Sequence, residues 1–169
     1  MTQVHSNASR LDSEATFFAV ACGESRSTDE TGNIQIKVSG ADTGGAFVVL
    51  EVLTAIDSGA PLHMHHIENE WFYVLDGEYD IHVGERLFNV KAGASVYAPR
   101  LVPHTWHDVG ETPGRMLVVA QPAGGMEGFA KDLIALGGTG VPDPSAMRGL
   151  FAKYNMEMLG PPLPKKRLR

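Results

Sequence analysis

The strongest constraint on the fold is a series of short, strand-like segments separated by turn residues, which runs from residue 33 to residue 120. In the first of them, residues 34–38, isoleucine and valine alternate with polar residues, a pattern typical of a half-buried strand. The dipeptide Asp76-Gly77 lies between two later segments and favours a tight β-hairpin turn, because both turn positions take positive φ. Short strands at close, even spacing predict an antiparallel sandwich or barrel. The remaining predicted strands are residues 46–53, 70–75, 78–83, 86–90, 95–98, 104–109 and 115–120.

After Pro122 the hydrophobic period changes from that of strands to that of helices. Apolar residues recur at i, i+3, i+4, i+7 and i+8 over residues 126–134, which predicts an amphipathic helix that ends at Gly137. A second helix is predicted to begin with Asp143 as its N-cap and to end at the Gly-Pro-Pro sequence of residues 160–162. Both helices are interpreted as a cover for the barrel wall or a dimer contact. We therefore predict an N-terminal arm (1–32), a barrel (33–122), and C-terminal helices with a basic tail (123–169).

The composition is that of an ordinary globular domain: 169 residues, of which 43% are apolar and 20% charged. The net charge of −6 argues against a nucleic-acid or anionic-membrane partner, because phosphate binding needs a basic surface. No apolar run approaches the roughly 18 residues of a membrane-spanning helix. Cys22 is the only cysteine, so no intrachain disulfide can form. Acidic residues before the apolar run at 15–22 argue against a signal peptide, and we expect a cytoplasmic protein.

Six of the seven histidines lie between His63 and His107. His63 and His65 are two positions apart, so on a strand their imidazoles share one face and can reach one point. Glu70 begins the next predicted strand, and His104 opens a later one. Three imidazoles and one carboxylate that converge would form a four-ligand site suited to a divalent transition metal.

The same residues carry a resemblance to the cupins. Residues 61–77, PLHMHHIENEWFYVLDG, are similar to the first cupin motif. The two histidines, the glutamate and the closing glycine of that motif fall on His63, His65, Glu70 and Gly77. Residues 93–99, GASVYAP, followed by His104, resemble the second motif. The segments 42–47 and 153–163 further resemble the single-domain cupins usually labelled quercetin dioxygenase-like.

This resemblance implies an all-β fold, an antiparallel double-stranded β-helix (the cupin or jelly-roll barrel), with the two helices as a C-terminal extension. It also implies one divalent metal. The implied ligands are His63, His65, Glu70 and His104. Iron, manganese, nickel, cobalt or copper would allow redox chemistry, and zinc would restrict the site to non-redox chemistry. Because strand 46–53 is apolar on both faces, we also expect a sheet-to-sheet homodimer, which is common in cupins.

Three positions depart from the family pattern. Gly59 lies only four residues before His63, closer than the family's glycine. Leu101 stands where the second motif usually has glycine, and Asp108 replaces the usual asparagine after the final ligand. These changes concern loop shape and the surroundings of the ligands, so we expect metal binding to survive them.

Other side chains near the site have more than one interpretation. Glu68 competes with Glu70 for the carboxylate role. His66 is expected on the surface or beside a ligand, because its position points it off the face of the ligand pair. His107 is expected mainly at solvent or at an interface, with a site role as the alternative, and His82 is expected on an outer face.

Three hydrophobic side chains are candidates for a substrate pocket. Phe72 and Val74 follow Glu70 on the same strand face and are expected to line the cavity. Trp106 shares the face of His104 and either packs in the core or contacts substrate. Apolar neighbours of this kind suit an aromatic or enolisable substrate and keep water out.

The leading functional hypothesis is a metal-dependent dioxygenase that acts on an enolisable or aromatic hydroxylated small molecule, with dioxygen as co-substrate and Glu70 as general base. One alternative is a non-redox metal-dependent isomerase, lyase or hydrolase. Another is a cupin that binds a small molecule without turnover. Because each histidine must be neutral to bind, metal is expected to leave as the pH falls through about 6 to 5.

Overall fold

The computed structural model describes residues 18–21, 24–25, 33–137 and 143–164. Most of the predicted N-terminal arm, Cys22 and the basic tail from residue 165 lie outside these residues. The described chain forms ten strands and two helices. Their order is β1 (Ile34–Val38), β2 (Val48–Thr54), β3 (Leu62–His65), β4 (Asn69–Asp76), β5 (Glu78–Val83), β6 (Arg86–Lys91), β7 (Ser95–Ala98), β8 (His104–Asp108), β9 (Gly114–Gln121), α1 (Met126–Gly137), α2 (Pro144–Lys153) and β10 (Met156–Gly160).

The strands form two five-stranded sheets that face each other across one hydrophobic core. The first has the order β1-β2-β9-β4-β7 and the second the order β10-β3-β8-β5-β6. The strand pairs are antiparallel, and consecutive strands often lie in opposite sheets, as in a double-stranded β-helix. The predicted fold class is therefore confirmed.

Alternation of buried and exposed side chains explains how each sheet closes the core. In the central strand β9, Met116, Val118 and Ala120 are buried while the residues between them are half-buried. Phe72 and Val74 of β4 are buried beside them. Burying a side chain of this size stabilises the fold by about 1.5–3 kcal/mol, so this inner layer holds the two sheets together.

Both predicted helices are present. Asp143 caps α2: its carboxylate accepts hydrogen bonds from the backbone N–H groups of Ser145 (2.9 Å) and Ala146 (3.1 Å). α2 ends at Lys153, earlier than predicted. None of the described helices is long and apolar enough to cross a membrane.

Strand β10 was missed by the sequence analysis, which assigned residues 156–160 to the end of the second helix. Asn155 takes a φ of +56°, which ends the helical path and turns the chain back to the barrel. β10 then pairs with β3, and Met156 lies opposite His65 while Met158 lies opposite His63. The C-terminal segment thus adds a strand to the sheet that carries the two histidines.

Candidate metal centre

The structure brings all four predicted ligands together in the barrel interior. His63 and His65 lie on β3, His104 lies beside His63 on the neighbouring β8, and Glu70 reaches in from β4 of the opposite sheet. All four residues are buried, and one ligand atom from each lies within 4.8 Å of the others. Two strands of one sheet and one strand of the other therefore supply the cluster.

Backbone carbonyl groups fix the orientation of two of the imidazoles. His63 Nδ1 lies 2.7 Å from the carbonyl oxygen of Pro61, and His104 Nδ1 lies 3.0 Å from that of Val102. A carbonyl oxygen can only accept, so both Nδ1 atoms donate and both Nε2 atoms face the cluster. Metal-binding histidines are commonly held in this way.

His65 is oriented by a carboxylate instead. Its Nδ1 lies 3.2 Å from Oε2 of the buried Glu68. Its Nε2 is buried and finds no hydrogen-bond partner among the described residues, although Oε2 of Glu70 lies 3.5 Å away. An unsatisfied buried polar atom costs about 1–3 kcal/mol, and a metal at the cluster would satisfy this one.

The contact between His104 and Glu70 also fits a cation. His104 Nε2 lies 2.9 Å from Oε2 of Glu70, a hydrogen bond that requires a proton on Nε2. Because Nδ1 of the same ring already donates to a carbonyl group, that proton would make the ring positively charged. A metal cation at this point would take the place of the proton, so the donor set fits a divalent metal.

Electrostatics keep the ligands in the states that a metal needs. Burial by itself would raise the pKa of Glu70, but the charge of His65, the hydrogen bond from His104 and the charges of His104 and His63 lower it to about 2. Burial, followed by the charge of His104, lowers the pKa of His63 to about 3. Glu70 is therefore ionised and His63 neutral throughout the physiological pH range.

Metal affinity is expected to fall as the pH is lowered, because a proton and the metal compete for Nε2 of His65. Burial lowers the pKa of His65, but the charge of Glu70 and the hydrogen bond to Glu68 outweigh burial and raise the pKa above its ordinary 6.5. The competition therefore begins at a higher pH than it would for an ordinary histidine.

The logarithm of the Co(II) dissociation constant should therefore rise as the pH is lowered from 7 to 5. Titration against a competing chelator at several pH values measures this slope. A dissociation constant independent of pH would contradict the assignment of His65 as a ligand.

The structure places Glu68, His66 and His82, which had more than one interpretation, outside the cluster of four candidate ligands. Glu68 supports His65 rather than joining the ligand cluster. His66 is exposed and lies 3.9 Å from Glu157, as expected for a surface position. His82 is half-buried and lies outside the cluster.

His107 is buried, so its expected position at solvent is wrong. Its Nε2 lies 2.8 Å from Oδ1 of Asp57. Its backbone also forms an antiparallel β-bridge with Gly59, in the loop before β3. Backbone hydrogen bonds join that loop to the edge of β8, and parity along the strand could not show this contact. His107 is not among the four clustered ligands.

A cavity of about 510 Å³ opens from the cluster towards the helices. Phe72 and Trp106 line it, as expected, whereas Val74 is buried in the core and is not part of the wall. The sequence analysis missed the contribution of both helices to the wall, although their apolar stripes were recognised. Helix residues on the wall are Met126, Phe129, Ala130, Leu133, Ile134, Gly137, Met147 and Phe151.

The three departures from the family pattern each have a structural counterpart. Leu101 takes a φ of +64°, the left-handed conformation that glycine adopts at least cost, and its N–H bonds the carbonyl oxygen of His65. A Cβ on Gly59 would lie 2.6 Å from the carbonyl oxygen of Trp106, so this close approach requires glycine. Asp108 is buried and accepts hydrogen bonds from neighbouring turns.

Comparison with known proteins agrees with this geometry. Residues 50–120, which include all four clustered residues, match the family model of the cupin domain. An uncharacterized protein of Methanocaldococcus jannaschii, MJ1618, is 29% identical over 72 residues. The match covers 43% of this chain and 58% of that relative, so the chain spans little more than half of the relative's length.

Two solved structures share the fold. An RmlC-like cupin from Shewanella frigidimarina superposes with a TM-score of 0.51 at 18% identity, over 64% of this chain and 95% of that one. A predicted oxalate decarboxylase from Thermotoga maritima gives a TM-score of 0.50 at 24% identity, over 53% of this chain and 78% of that one. At such identities the likeness shows the fold alone. The cupin domain model thus matches the segment that holds the cluster, and the fold agrees with that match.

Proposed function

We propose that this cupin barrel is a metal-dependent dioxygenase for a small, largely apolar molecule with an enolisable or aromatic hydroxyl group. The observation that carries the proposal is the buried cluster of three histidines and one glutamate, of which His63, His65 and Glu70 line an apolar cavity. The quercetin dioxygenase-like resemblance of the sequence supports the same class of reaction.

The ligand set would be His63, His65, Glu70 and His104. A divalent transition metal held by them would supply a Lewis acid for an enol or hydroxyl oxygen and a template that brings substrate and dioxygen together. Iron, manganese, nickel, cobalt and copper all accept these ligand types.

Glu70 has two roles in this proposal. With a pKa of about 2, its carboxylate is ionised whenever substrate binds, and it can take the hydroxyl proton of the substrate within hydrogen-bond reach. So low a pKa makes a carboxylate a good ligand and a weak base. The electrostatics therefore favour the ligand role, and the general-base role stays a prediction.

The cavity wall supports a neutral aromatic substrate. Phe72, Trp106 and Phe151 present aromatic surface beside the cluster, and Phe151 packs its ring edge against His63 at 5.3 Å between centroids. No lysine or arginine lines the cavity within the described residues. An anionic substrate such as oxalate would therefore find no cationic side chain, whereas a neutral aromatic substrate finds complementary surface.

The test combines metal analysis with oxygen uptake. Protein purified without added metal or chelator is analysed for metal content, then loaded separately with Fe(II), Mn(II), Co(II), Ni(II), Cu(II) or Zn(II). A flavonol and a 1,3-diketone serve as substrates, in air and under anaerobic conditions. Dioxygen consumption in proportion to substrate loss, with a redox-capable metal, would support the proposal.

Two other outcomes would replace it. Product formation without dioxygen, with Zn(II) as effective as iron, would indicate a non-redox isomerase, lyase or hydrolase. Binding of the flavonol without turnover under any metal would indicate a binding module. The homodimer and the cytoplasmic location stay predictions.

A further inference from the structure

The buried carboxylate of Glu68 lies between the candidate metal centre and helix α1. Its Oε2 lies 3.2 Å from Nδ1 of His65, and its Oε1 accepts a hydrogen bond of 3.2 Å from the backbone N–H of Gly125. The side chain is only 1% exposed, so these contacts replace water around its charge. One carboxylate thus touches both a candidate ligand and the residue that precedes α1.

The carboxylate of Glu68 accepts a hydrogen bond from the N–H of Gly125, the residue just before α1, and so places a negative charge at the N-terminus of this helix. The N–H groups of a first helical turn need acceptors from outside the helix, and a negative charge there is also favoured by the helix dipole. Gly124 and Gly125, which precede α1, have no side chains to supply an acceptor. Gly124 takes a φ of +50°, and a Cβ on it would overlap the carboxylate of Glu68. The backbone therefore leaves space for Glu68.

The position of α1 affects the shape of the cavity. Phe129, Leu133 and Ile134 of this helix line the cavity and are only half-buried, because they face open space rather than packed core. A shift of α1 would therefore widen or narrow the cavity beside the metal cluster.

We propose that Glu68 is a positioning residue that couples metal binding at His65 to the docking of α1, and thereby to the shape of the substrate cavity. This inference rests on the metal site of the proposed function. A metal on Nε2 of His65 polarises the Nδ1–H group and strengthens its hydrogen bond to Glu68. A carboxylate held in that way is a better cap for α1, and by thermodynamic reciprocity a docked α1 favours metal binding.

Co(II) is the probe for both directions of the coupling. Its absorption spectrum and dissociation constant report the metal site, and hydrogen–deuterium exchange of the amides in residues 126–137 reports the helix. In the wild-type protein Co(II) should slow exchange in α1 by about fivefold or more. In Glu68→Gln, whose amide has one acceptor for two donors, Co(II) should bind about 10–100-fold more weakly and no longer slow that exchange.

Gly124→Ala tests the coupling from the helix side, since residue 124 is not a ligand. Its Cβ displaces the carboxylate of Glu68, so Co(II) affinity should fall by about fivefold or more. The matched control is Gly149→Ala in α2, where a Cβ meets no atom within 4 Å and Co(II) affinity should not change. Circular dichroism checks that each variant is folded, and Glu68→Gln, which keeps the backbone unchanged, provides the test if Gly124→Ala does not fold.

Each contrary outcome has a distinct meaning. Wild-type protein that takes up Co(II) without slower exchange in α1 would overturn the coupling and leave the proposed metal site intact. Gly124→Ala with wild-type affinity would show that the position of the Glu68 carboxylate does not affect the metal site, and it would likewise overturn the coupling. Wild-type protein that takes up no Co(II) would overturn both this inference and the proposed function.

Discussion

His104→Ala is expected to lose bound metal and keep its fold. Loss of even an outer hydrogen-bond partner weakens metal sites by about 10–100-fold, so loss of one of four ligands should cost at least about 100-fold in affinity. The barrel should survive, because the replacement leaves every side chain of the hydrophobic core in place. Elemental analysis after dialysis against buffered Co(II), together with circular dichroism, measures both properties.

His66→Ala is the matched control for this experiment. His66 is one residue from a candidate ligand, but its side chain is exposed and pairs only loosely with Glu157 at 3.9 Å. Its replacement should leave the metal content unchanged. If His66→Ala emptied the site while His104→Ala retained metal, the strand-face argument for the ligand set would be wrong.

Asp108→Ala is expected to lower the free energy of unfolding by about 3 kcal/mol or more. The carboxylate is fully buried and accepts hydrogen bonds from Thr54 Oγ1 (2.5 Å), Gly110 N (3.0 Å) and Gly114 N (3.0 Å). Alanine would leave two backbone N–H groups without their acceptor, and each unsatisfied buried group costs about 1–3 kcal/mol.

Asp108→Asn should give an intermediate loss of stability, because asparagine has the same shape but a single acceptor oxygen. Both oxygens of Asp108 accept hydrogen bonds, so one donor would face an NH₂ group. Urea unfolding measures the three proteins, with Asp80→Ala as the control, since its contact with Asn89 is exposed. An Asp108→Asn variant as stable as the wild type would show that the second oxygen is not needed.

The sequence was sufficient to predict the parts of the site that depend on local periodicity. The i, i+2 spacing of His63 and His65 places both side chains on the inner face of β3, and the same argument correctly places His66 outside. The apolar pattern of β9 follows from the same two-residue period. The predicted hairpin at Asp76-Gly77 is wrong, because β4 and β5 lie in different sheets and do not pair. Gly77, with a φ of +93°, instead turns the chain from one sheet into the other, so the turn residue predicts the change of direction but not the pairing of the strands.

Features that depend on contacts between distant segments were beyond sequence reasoning. His107 contacts Asp57 in a loop that pairs with the edge of β8, and the N–H of Gly125 before α1 donates a hydrogen bond to Glu68, 57 residues earlier in the chain. Strand β10 has a pattern too short to be distinguished from a helix end, and its pairing with β3 gives it its conformation. Tertiary context, rather than local preference, determines all three.

The pairing of β10 with β3 also affects the order in which the site can be assembled during synthesis. β3 aligns with β8 at a single residue pair, His63 with His104, whereas it aligns with β10 over Leu62–His65. The main partner of β3 is therefore translated after all four candidate ligands, the rest of the barrel and both described helices. Closing so long a loop has an entropic cost that the finished barrel offsets. A nascent chain that has not yet reached Met156 contains every candidate ligand but lacks the strand that pairs with His63 and His65, so we expect the cluster to become rigid only late in translation.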